Sequence, residues 1–258
     1  RHRVGKGGTI KKVMVLFLRG GNDGLNTMIP VETTEYNHYR DLRPGIGIAQ
    51  SYLADVPGSS GFFALHPSLS PLVPLIQAGN CSMIHAVSYP NPDRSHFESQ
   101  AFWETGVPGS GSLDGWLNRY LSHTSGPGLI RGVSIGSNIP QSVSGSIPVP
   151  VSNNFGTSQI DVDPDLNGSD SDAFRQKLRE TYQLTPTPGN QDIYNNGNRI
   201  FDMIDAFADR NLDNYVPENG AVYPDNSLGR RVPHAAQMLK DDPSPLGVEV
   251  VTTDTGGY

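Results

Sequence analysis

Six unbroken apolar residues, Val13 to Leu18, run into Arg19, Gly20, Gly21, Asn22, Asp23 and Gly24. An apolar run of that length, rich in branched and aromatic residues, reads as a strand buried on both faces. Strands of that kind belong to parallel sheets, where ligand sites form at the carboxyl ends. Glycines at that edge let the backbone turn sharply and approach a ligand. Asp23, placed there, is a candidate metal ligand or acid/base. Taken alone, these residues read more readily as a strand followed by an ordinary Asn-Asp-Gly turn.

Three further segments share the pattern: Met83–Val87, Ile130–Ile135 and Val248–Thr253. Helical patterns lie between them. Residues 67–78 place Leu69, Leu72, Val73 and Ile76 on one helical face, and Pro71 and Pro74 predict that this helix is broken or short. Helices are also predicted over 95–105, 114–123, 171–182, 193–209 and 227–240, the last with Pro233 inside it. Strands alternating with helices imply a three-layer α/β/α domain with a mostly parallel sheet, spanning 1–258 as one domain. Residues 136–170, rich in Ser, Gly, Pro and Asn, read as a loop-rich excursion within it.

With 258 residues the chain can bury one large core. A net charge of −7 argues against nucleic-acid binding, which needs a basic face. No apolar run approaches the ~20 residues of a membrane span. The lone Cys81 has no partner for an internal disulfide and reads as a small buried hydrophobe. Residues 1–8 are basic and Gly-rich with no hydrophobic region behind them, so any targeting segment is expected to be removed or absent.

Two more stretches can carry chemistry. After Met83–Val87, two prolines precede Asp93, Arg94, Ser95 and His96. A hydroxyl at a helix start sits among unpaired backbone N–H groups with positive potential. That setting favours an anion or an activated nucleophile. Arg94 can hold a phosphate or sulfate oxygen by forked hydrogen bonds. Ser95 also reads as a helix cap, with Glu98 completing Ser-x-x-Glu, and a nucleophile at a helix start also caps. His96 reads as a ligand or base, or as structural. At the end of the chain, Val248–Thr253 is followed by Asp254, Thr255, Gly256 and Gly257, which repeats the logic of the first strand. Two strand-end carboxylates on neighbouring strands can converge on a divalent cation.

In this order, the stretches RGGNDGLNTMIPV, GFFALHPSLSPLVPLIQAGN, YPNPDRSHFESQAFWETG, DGWLNRYL, YPDNSLGRR and VEVVTTDTGGY resemble a large bacterial family. That family carries a domain-of-unknown-function label, and its members are typically exported by the twin-arginine route. It resembles in turn the alkaline phosphatase and sulfatase superfamily. There an Asp after the first strand binds metal, and a Ser, Thr or modified Cys at a helix start is the nucleophile. The resemblance implies Asp23 and Asp254 as ligands of a divalent metal (Zn, Mg or Ca), and Ser95 as the nucleophile. Pro92-Asp93-Arg94 also resembles the sulfatase Pro-Ser-Arg, which would shift the register. No Cys stands there, so a formylglycine is ruled out at that position. The family's later Asp-Thr-His and Asp-His are not in this chain. The metal site is therefore expected to be incomplete, and the domain C-terminally incomplete.

Together these readings predict an exported, periplasmic or extracellular, metal-dependent hydrolase of phosphate or sulfate esters. Ser95 and His96 would be catalytic, Asn22 and Arg94 would bind the substrate anion, and Asp23 and Asp254 would hold the metal. The alternative is a non-catalytic secreted binding or structural protein that retains the fold. A strand stopping at Tyr258 is expected to need cover from a C-terminal part or a second chain. Asp163, Asp165, Asn167 and Gly168 fit the opening of a calcium loop, or an Asp-rich turn capping the next helix, with Phe174 rather than Glu at the twelfth position. His66 and His85 read as core or supporting residues, and Trp103 and Trp116 as packing.

Overall fold

The computed structural model describes residues 11–256, except 93, 110–112, 127, 157–167, 184–186, 188, 209–211 and 241–245. In chain order the first elements are β1 (Val13–Leu18), α1 (Gly24–Thr27), β2 (Met28–Pro30), α2 (Thr33–Leu42), β3 (Ala54–Asp55), β4 (Phe63–Leu65) and α3 (Val73–Gln77). Then follow α4 (His96–Thr105), α5 (Trp116–His123), β5 (Gly132–Ile135), β6 (Val151–Ser152), α6 (Gly168–Tyr182), α7 (Gln191–Ala208), α8 (Ser227–Lys240) and β7 (Val250–Thr255). They form two compact units, one of residues up to Arg19 with Ser95 onward, the other of residues 20–94.

The first unit is α/β. Its sheet has the order β1-β7-β5-β6, and every neighbouring pair is parallel. Successive residues of a strand face opposite ways, so each face collects its own core. Met14, Val133, Ile135 and Val251 pack with Ala206 and Phe207 of α7 and with Ala235 and Met238 of α8. On the other face Val15 and Val250 meet Leu117 and Leu121 of α5 and Val143 of the turn after β5. Helices therefore cover both faces of this sheet. Pro233 does not end α8, because burial of Ala235 and Met238 outweighs one lost backbone bond.

Two sequence expectations are corrected here. β1 forms over the predicted residues, yet it is not buried on both faces: it is an edge strand, with Val13, Leu16 and Leu18 about 40% exposed (40%, 43% and 42%). The last strand, expected to lack cover, lies between β1 and β5, and its first four residues are buried.

The second unit holds a small antiparallel sheet, β2-β4-β3, that the sequence reading missed. Met83–Val87 is irregular rather than a strand. Ile84 is 83% exposed, and Ala86 has a φ of 56°, which no strand tolerates. The broken-helix reading of 67–78 corresponds to a 3-10 turn, Pro67–Leu72, followed by the short α3. His85 is exposed and meets the Phe63 ring at a tilt, with ring centroids 4.4 Å apart, and Cys81 is half-buried; neither is core. Among the described residues no helix is long and apolar enough to cross a membrane. Residues 163–167 of the calcium-loop reading lie outside the described residues.

Candidate functional site

The carboxyl end of β1 is organised by Arg19, which the sequence reading gave no role. Its Nε donates to Asp254 Oδ2, its Nη1 to Gln100 Oε1 at 3.0 Å, and its Nη2 to Glu104 Oε1 at 2.7 Å. The planar guanidinium thus serves three acceptors at once. It also lies 5.1 Å from the centroid of the Phe17 ring. Burial opposes the Arg19 charge. The hydrogen bond to Asp254 and the charges of Glu104 and Asp254 outweigh it and raise the guanidinium above its ordinary value. Glu104, buried on α4, turns its other oxygen to the Gln141 N–H at 2.8 Å.

Asp254 is the penultimate residue of β7 and stands opposite Phe17 of β1. Besides Arg19 it faces Arg231 of α8, whose Nη1 is 3.0 Å from the Asp254 carbonyl oxygen and 3.6 Å from Oδ1. Two arginines and two carboxylates make this cluster neutral, and it joins the sheet, α4 and α8.

Ser95 caps α4, and its Oγ accepts from the Glu98 N–H at 3.3 Å. At the other end Gly106, at φ 68°, closes the helix, and its N–H donates to Phe102 O at 2.8 Å. α4 therefore carries Ser95 and His96 at its start and, one to two turns on, the Gln100 and Glu104 that Arg19 holds. His96 is exposed, as is Arg94 just before the cap.

The other candidates belong to the second unit. Asp23 caps the single-turn α1, accepting from the Asn26 N–H at 3.3 Å, and pairs with Arg43 Nη1 at 2.7 Å. Asn22 Oδ1 accepts from the Thr27 hydroxyl at 3.3 Å. A cleft of about 840 Å³ in this unit is lined by Asn22, Asp23, Arg43, Phe62, Phe63 and the 83–87 segment.

The donor set does not fit a divalent cation. Asp23 is held by Arg43, and Asp254 by Arg19 and Arg231, so each carboxylate already has cationic partners. Among the described residues no three His, Cys, Asp or Glu side chains converge as a metal site would require.

Comparisons with protein-family models, curated proteins and solved structures found no match to this chain.

Proposed function

We propose that the chain serves an exported hydrolase of phosphate or sulfate esters, with an alkaline phosphatase-like fold and Ser95 as the attacking hydroxyl. The observation that carries this reading is the tie between α4, which Ser95 caps, and the end of β1 through Arg19. Parallel sheets place their chemistry at that edge. The positive end of α4 favours a Ser95 oxyanion. In this reading Ser95 Oγ attacks phosphorus or sulfur, and its bond to the serine forms as the ester bond to the alcohol breaks. His96, beside it, takes the hydroxyl proton and returns it to the departing alkoxide. Water then cleaves the serine ester. Arg94, next to Ser95 in the chain, orients the anion. Asp23 and Asp254, held by arginines, carry no step.

The same arginine pairing favours a second reading: a secreted binding or structural protein that keeps the fold without the chemistry. Turnover of an aryl phosphate and an aryl sulfate, with and without added Zn²⁺, Mg²⁺ or Ca²⁺, separates the two. The hydrolase reading expects turnover that Ser95→Ala reduces to background while stability falls by about 1 kcal/mol for the lost cap. Turnover that survives Ser95→Ala removes Ser95 from the nucleophile role. Wild-type chain inert under every condition removes the hydrolase reading for these esters.

A further inference from the structure

Another cavity lies within the first unit, lined by none of the residues given a catalytic, anion-binding or metal role in the sequence. A cavity of about 520 Å³ opens among Asn153, Asn154, Tyr215, Arg230, Arg231 and His234. That volume suits a small organic molecule. Asn153 and Asn154 directly follow β6, and Arg231 reaches Asp254 near the end of β7. Since β6, β5 and β7 are parallel, the cavity sits at the carboxyl edge of the sheet, where open α/β sheets receive ligands.

Its chemistry is cationic. Two arginines line it, and none of the described residues lining it is an Asp or Glu, in a chain whose net charge is −7. The carboxylates nearby lie behind or outside it. Asp254 touches Arg231 through Nη1 alone, and Asp225, fully solvent-facing, meets Arg230 Nη1 at 3.0 Å. The Arg231 side chain is only 18% exposed, and its Nε and Nη2 have no acceptor among the described residues. Its Nη1 alone makes the contact to Asp254, which leaves the other guanidinium donors for a partner in the cavity that Arg231 lines. The fork of an arginine matches two oxygens of a tetrahedral oxyanion. Asn153 adds an amide group to the lining, and Tyr215 an aromatic ring.

We infer that this cavity binds the phosphate or sulfate group of a small molecule, with Arg231 as its fixed anchor and Arg230 at its rim. The inference stands apart from the ester-hydrolase reading, since neither Ser95 nor turnover enters it.

Isothermal titration of the purified chain with inorganic phosphate, and separately with inorganic sulfate, tests it, with chloride as the ionic-strength control. Saturable binding of at least one oxyanion is expected, and the tighter of the two identifies the group as phosphoryl or sulfuryl. Arg231→Gln is expected to weaken it at least about tenfold, the loss of a charged hydrogen-bonding pair. Because Arg231 also holds Asp254, the exposed Arg230→Gln and Asn153→Ala carry the test if that variant fails to fold. Each is expected to weaken binding about threefold or more. Lys177→Gln, on the exposed face of α6, is expected to leave it unchanged. Absence of saturable binding for both oxyanions overturns the inference. So does an equal loss in Lys177→Gln and Arg230→Gln, which would mark general charge screening.

Discussion

Glu249→Gln is expected to destabilise the protein by about 3 kcal/mol, the loss typical when one partner of a buried ion pair is removed. The Glu249 side chain is 5% exposed and that of Arg131 is 11% exposed. They meet through two hydrogen bonds, Nε to Oε1 at 2.7 Å and Nη2 to Oε2 at 3.0 Å. Tyr120 adds a third donor to Oε2 at 3.3 Å. Arg131 also donates to the carbonyls of Leu121 and Thr124, at 2.6 and 2.7 Å, so the pair pins the end of α5 to the start of β7. An amide in place of the carboxylate removes the countercharge and turns an N–H₂ toward donors. Thermal denaturation is expected to show a drop of about 6–12 °C for a domain of this size. The hydrogen bond to Glu249 raises the Arg131 guanidinium above its ordinary value, burial notwithstanding. A group raised in the fold contributes its full stability below its unfolded value and loses it only above. The guanidinium therefore stays charged across the neutral and mildly alkaline range, and the loss is expected to be the same at about pH 7 and about pH 9. Glu218→Gln, on the solvent-exposed pair with Lys240, should cost less than about 1 kcal/mol. Equal melting of the Glu249 variant and the wild type would show that the pair contributes nothing.

How far the sequence could be read depended on the range of the interactions involved. The bounds of β1 were legible because an apolar run meets glycines, and those of α8 because its buried face recurs at helical spacing through Pro233. The edge position of β1 was not legible, since it depends on β7, more than two hundred residues away along the chain. Met83–Val87 has strand composition but no partner strand among the described residues, and a strand needs one. α2 was missed because only Tyr39 of its ten residues is buried, so no apolar stripe announces it; Glu32 caps it instead, accepting from Thr34 and Glu35 N–H. β3 and β6 have two residues each, too short for any periodicity. In the candidate site, Ser95 was legible as a cap from Ser-x-x-Glu. The partners of Asp254 were not. Arg19 stood in plain view after the first strand, but nothing local says that it reaches Gln100, Glu104 and Asp254 rather than solvent.

A larger effect is expected at Gly115, where a single methyl group has nowhere to go. Its φ of −60° suits any residue, so the requirement for glycine is not conformational. It comes from packing. A Cβ there would lie 1.9 Å from the Gln141 carbonyl oxygen and 2.2 Å from the Ser142 carbonyl carbon and oxygen, all backbone atoms. The two segments are locked from several sides. Gly115 N–H donates to Ser144 O at 2.9 Å. One turn on, the buried Asn118 donates to Val143 O and Ile147 O, both at 2.7 Å, and accepts from Ile147 N–H at 3.1 Å. Leu117 and Leu121 of the same helix are fully buried in the core beneath the sheet. To admit a methyl group, the 141–147 segment must move away from α5. That movement breaks the Asn118 hydrogen bonds and opens the core together. Gly115→Ala is therefore expected to cost more than about 3 kcal/mol, beyond the usual range for an added methylene. Its thermal midpoint should fall by at least about 6–12 °C, if it folds at all. Gly45→Ala is the matched control, because nothing lies within 4 Å of the added Cβ. That change is expected to be neutral or to stabilise by up to about 1 kcal/mol through the unfolded chain. Two variants with the same midpoint would mean that α5 and the 141–147 segment do not approach as closely as the structure has them. The helix that covers one face of the parallel sheet would then be misplaced.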